Sequence, residues 1–131
     1  MNAKSFLLSG IAGGIADFLL GWLLYGMLFR DYFGGPDPDM MLTGLGCLMF
    51  GMLISYVFVR WANLVTFSSG LMAGAVIGFI VEVMGNSFYY SMQNPVDYKK
   101  FAIDVLIVTV MGAIVGGIVA AVNGAISKPQ T

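Results

Sequence analysis

The chain has 131 residues, of which 59% are hydrophobic and 10% charged, with 18 glycines, 10 methionines and a net charge of −1. A soluble domain has no means of hiding that much apolar surface, and no basic tail is present to hold nucleic acid or an anionic surface. With no histidine and a single cysteine, Cys47, the chain lacks the ligand sets from which zinc, haem and iron–sulfur sites are drawn, so no metal, no cofactor and no intramolecular disulfide are expected.

Apolar stretches at 6–29, 40–59, 64–90 and 101–126 fill most of the chain. Each reaches the length of about 20 residues that a helix needs to cross a hydrocarbon core of roughly 30 Å. The runs 45–59 and 105–122 are almost continuously apolar, whereas strands of a membrane barrel alternate lipid-facing and lumen-facing residues. The expected fold is therefore an all-α membrane protein, a single up-down bundle of four transmembrane helices over 1–131.

The first stretch follows Lys4 as a secretory signal would, but it is longer than a signal core and no small-x-small cleavage site leads into a soluble domain. It reads as a retained helix. Asp17 lies near its middle, among Gly13, Gly14, Leu20 and Gly21 at helical spacing, and Trp22 and Tyr25 follow. The connection 30–39, RDYFGGPDPD, carries the punctuation of a turn-rich loop. The second stretch holds Cys47 and the methionines Met40, Met41, Met49 and Met52, expected to fill gaps in the packing. A link around Arg60, Trp61, Ala62 and Asn63 is so short that spans two and three are expected to be antiparallel neighbours.

In the third stretch Gly70, Gly74 and Gly78 recur every fourth residue, and in the fourth Gly112, Gly116, Ala120 and Gly124 do the same. Small residues at this spacing let helix backbones approach closely, either between spans three and four or across an oligomer interface. The loop before span four holds Asn94 and Pro95, then Asp97, Lys99 and Lys100 ahead of a helix start. Shifting the sequence by sixty positions lays Ser9, Gly10 and Gly14 on Ser69, Gly70 and Gly74, and Asn63 on Asn123. The match reads either as two parallel two-helix repeats or as coincidence in a glycine-rich background.

Three acidic residues lie within the spans: Asp17, Glu82 and Asp104. A charge at the bilayer centre costs about 2.5–3.5 kcal/mol on insertion scales, so such groups face the bundle interior or a wet cavity. Asp104 reads as a first-turn residue favoured by the helix dipole and by Lys100 one turn away. Asp17 and Glu82 have no cation within a turn on their own helix, so their partners must come from other helices. Either they fix helix register, with Trp22 or Tyr25 meeting Glu82 at a level the sixty-residue offset makes equivalent, or they form a proton or cation path.

An even number of spans puts both termini on one face. Lys4, Arg60 and Lys128 fall on that terminal face and Arg30, Lys99 and Lys100 on the loop face, so the positive-inside count is tied. Both termini are assigned to the cytoplasm. Tyr56, Trp61 and Phe67 mark the terminal-face boundary, and Tyr32, Tyr89, Tyr90, Tyr98 and Phe101 the other.

The segments GWLLYGMLF at 21–29, GLMAGAVIGF at 70–79 and FAIDVLIVTVMGAIVG at 101–116 together resemble small bacterial four-helix membrane proteins grouped as a domain of unknown function. The resemblance implies a four-span protein of a bacterial inner membrane and carries over no activity and no site. No catalytic residues are expected. The leading expectation is a non-enzymatic membrane protein working by packing, with Gly10, Gly14, Gly70, Gly74, Gly78, Gly112 and Gly116 in helix contacts and lipid and a second copy or a larger membrane complex as partners. The alternative is a small proton- or cation-coupled transporter or channel using Asp17 and Glu82.

Overall fold

A computed structural model describes residues 3–24, 27, 40–92 and 97–127. Four helices follow in order: α1 (Ala3–Leu23), α2 (Met40–Tyr56), α3 (Phe67–Ser91) and α4 (Tyr98–Ser127), with a π-helical turn at Val57–Ala62 extending α2. Each is long and apolar enough to cross a membrane, counting the π turn with α2. The fold is an all-α up-down four-helix bundle, and the chain is an integral membrane protein. Tyr25 and the loop 30–39 lie outside the described residues.

Local chemistry accounts for the helix ends. The π turn stops at Asn63, whose φ of 51° is left-handed, a conformation asparagine tolerates better than most side chains. The N–H groups of Asn63 and Leu64 then both meet the Phe58 carbonyl. Thr66 caps α3 by accepting from the Ser69 N–H at 3.3 Å. Asp97 caps α4, its carboxylate accepting from the Lys100 N–H at 3.1 Å. Such caps satisfy backbone donors that the first helical turn leaves open.

Neighbour relations depart from chain order. α1 packs on α2 and α4 also against α1, while α3 packs chiefly along α4. The short link thus does not make α2 and α3 packing neighbours, because it climbs over α4 instead. Asn123 on α4 donates to the Leu64 carbonyl at 2.9 Å. Gly124 lies under the Val65 carbonyl, and the Phe67 ring occupies the space beside Gly117, where a Cβ would be 2.7 Å from Cε2. α4 is consequently the central helix, with half of its span buried against about a fifth for each of the others. The apolar centre joins Ile54 and Phe58 of the second span to Val115, Val119 and Ala120 of α4.

The small residues set the distances between helices. A Cβ on Gly74 would fall on the Gly112 carbonyl oxygen and stand 2.8 Å from the Gly116 Cα, and one on Gly70 would fall on the Gly116 carbonyl oxygen. At Gly78 the nearest atoms are the Val108 oxygen at 3.1 Å and the Gly112 Cα at 3.2 Å. In the first hairpin Gly10 faces Met52, Gly14 lies against the Leu48 backbone and Gly51 sits on Gly10, Gly13 and Gly14. Gly10 and Gly14 therefore occupy in α1 the role of Gly70 and Gly74 in α3, sixty residues on. The relation stops there, since the contact between α1 and α4 has no counterpart of similar extent between α3 and α2.

The methionines behave differently from the expectation of gap filling. Met52 packs on Gly10, whereas Met40, Met41 and Met49 are exposed. They lie on the outer side of α2, the side a membrane-spanning helix presents to an apolar surrounding.

Candidate functional site

The three acidic side chains fall into two separate sites. Asp17, 9% exposed, sits on the buried side of α1 beside Cys47 of α2. The i−4 and i+4 positions of α1 are glycines, so neighbouring helices close over the carboxyl: Gly13 is met by Val119 and Val115 of α4, and Gly21 by the Met111 Cε. Cys47 had no role in the sequence beyond being unpaired. Its meeting with Asp17 depends on the α1–α2 register that Gly51 sets, and no local pattern announces it.

The second site lies on the α3–α4 seam near the loop face. Asn86 donates to the Asp104 carboxylate at 2.6 Å, and Glu82, one turn before Asn86 and half-buried, lies beside them. Asp104 lies in the second turn of α4, because the helix begins at Tyr98, earlier than expected, and its carboxylate accepts from Asn86 of α3. Trp22 is 57% exposed and gives Glu82 no partner, since α1 and α3 are not packed together. A carboxylate is acceptor-only, so neighbouring carboxyl groups need donors, and the Asn86 amide supplies one to Asp104.

Beside this site Tyr90 stacks edge-on against Phe101 at 5.6 Å and against Tyr89 at 5.1 Å. These rings close the loop-face end of the seam. Lys99, expected as a cation that could reach inward, is exposed. Arg30, the other, lies outside the described residues.

The contacts of Gly13 and Gly21 place Asp17 level with Val115. Asp104 then lies about 16 Å further along α4, at a helical rise of ~1.5 Å per residue. Val105, Ile107 and Met111, all buried, occupy the stretch between. Asp17 and Glu82 are thus held in different hairpins with apolar side chains between them. Among the described residues no group of three or more histidine, cysteine or acidic side chains could hold a metal ion. No protein-family model, curated protein or solved structure matches this chain.

Proposed function

We propose that this integral membrane protein is non-enzymatic and works through helix contacts, as a homo-oligomer or as a subunit of a larger membrane complex. The observation that carries the reading is one-sided packing. α3 packs chiefly along α4, while Gly44 and Gly46 of α2 and Gly85 of α3 have no described residue within 4 Å of where a Cβ would stand. Among the described residues no packing contact requires these three glycines, and small residues on a membrane helix allow another backbone to come close. The test is native mass spectrometry of the full chain released from nanodiscs. An oligomer that Gly44→Leu or Gly85→Leu reduces to a folded monomer supports the reading; a wild-type chain that is monomeric in nanodiscs sinks its homo-oligomeric form.

A second reading, small proton- or cation-coupled transport, is supported by the burial of Asp17 within a span, beside the Cys47 thiol. Intramembrane carboxyls of this kind mark proton relays and ion paths. With apolar residues between the two sites, Asp17 and Glu82 act separately in this reading and not as one relay. Proton or cation flux into liposomes, compared for wild type, Asp17→Asn and Glu82→Gln, decides it. Flux lost in Asp17→Asn supports the reading, and absence of flux in the parent or equal flux in all three eliminates it.

A further inference from the structure

Every fourth residue of the first part of α1 is small or polar: Ser5, Ser9, Gly13 and Asp17. All four are buried, so they form one stripe running from the terminal face into the span. Ser5 is 1% and Ser9 0% exposed, and neither hydroxyl has a hydrogen-bond partner among the described residues. Buried polar groups in natural proteins are satisfied by protein or by water, and a serine hydroxyl both donates and accepts.

These two hydroxyls are not isolated in the fold. Ser55 of α2, fully buried, donates to the Phe6 carbonyl at 2.7 Å. Asn123 of α4, 1% exposed, donates to Leu64. Apart from Asp17, the buried polar side chains among the described residues are these four, all near the terminal face. The antiparallel contact of Gly13 with Val119 brings Ser9 to the level of Asn123, one turn away on each helix. Successive members of the stripe are separated by about 6 Å along the axis. One water hydrogen-bonded on both sides spans about 5.6 Å, which matches that axial separation. Beyond Ser9 the stripe is blocked: the place of a Cβ on Gly13 lies 2.5 Å from Val119 Cγ2 and 3.4 Å from Val115 Cγ1. The next residue is Asp17.

We propose that Ser5 and Ser9 form an internal water-binding site reached from the terminal face, that this site is the vestibule of Asp17, and that Val119 closes its inner end. The vestibule approaches Asp17 from the face opposite Glu82. It deepens the transport reading, and because its test reads hydration and not flux, the two can fail separately.

The test is radiolytic hydroxyl labelling of the full chain in nanodiscs, with isotopically labelled water identifying oxygen taken from solvent. Val119, although fully buried, is expected to be labelled severalfold above Val105, a buried valine near the loop face. Equal labelling of the two valines overturns the water site. Ser5→Ala with Ser9→Ala is expected to bring Val119 down to the Val105 level, and a folded double variant that keeps the wild-type label removes the hydroxyls from the account. If that variant does not fold, the wild-type comparison still decides whether water is present. Val119→Ala is expected to raise oxidation of Cys47, the neighbour of Asp17, severalfold; unchanged oxidation shows that the vestibule does not lead to the carboxyl.

Discussion

Glycines that look alike in the chain differ by what stands over them. A side chain at Gly74 must displace the backbone of Gly112 and Gly116, and forcing extra carbons into a packed interior costs typically 1–3 kcal/mol, roughly. Gly74→Leu is expected to lower the thermal midpoint in detergent clearly. Gly85→Ala is the matched control, because no described residue lies within 4 Å of the new methyl and alanine is favoured over glycine in a helix by roughly 0.5–1 kcal/mol. A melting curve in which both variants behave alike contradicts the backbone contact. Asn86→Ala at the same seam removes the 2.6 Å bond to Asp104, and polar contacts between membrane helices average only ~0.6 kcal/mol, with a maximum of about 1.7. The glycine variant should therefore be the more damaging of the two, an ordering that one set of unfolding measurements checks.

Among the elements, α3 packs chiefly on one neighbour, α4, and its start is tied down by the link that crosses α4. Asn123 holds Leu64, and Gly124 leaves room for the Val65 carbonyl. Gly124→Leu is expected to lift the link and loosen the start of α3 without disturbing the α1–α2 hairpin. Spin labels on Ser68 and Ala121, in a chain with Cys47→Ser, should show a broadened distance distribution in this variant, while labels within the first hairpin keep theirs. Equal broadening in both pairs contradicts independent anchoring of α3. The start of α4 was within reach of the residues, as Asp97 before Lys99 and Lys100 already marked a helix start. The π turn was not, because Val57–Ala62 continues an apolar run and hydropathy does not distinguish one helical hydrogen-bond pattern from another.

At the scale of the molecule, half of the α4 span is buried against about a fifth of each of the others. The expected consequence is a hierarchy: substitutions at Val115 or Val119, both fully buried, affect all packing relations, while those on the outer side of α3 affect few. Val115→Ala should cost about 0.5–1.5 kcal/mol or more, on the scale of removing a methyl or two from a core, and Val76→Ala on the outer side of α3 much less in the same detergent. Similar losses would place the centre of the bundle elsewhere.

What the sequence determined by itself was the number of spans, their approximate ends and the small-residue faces, because each depends on runs and spacings inside one segment. Gly70, Gly74 and Gly78 announce a close contact whatever the neighbour is. The tertiary structure decided which helix that neighbour is, that the link after Asn63 passes over α4, and that α4 and not α2 lies against α3. It also paired Asp17 with Cys47 and Glu82 with Asp104 and Asn86, where the sequence had offered Trp22. Such pairings rest on the register between helices, which is set by which backbones can approach across the bundle. That information is distributed over all four helices and is present in none of them alone.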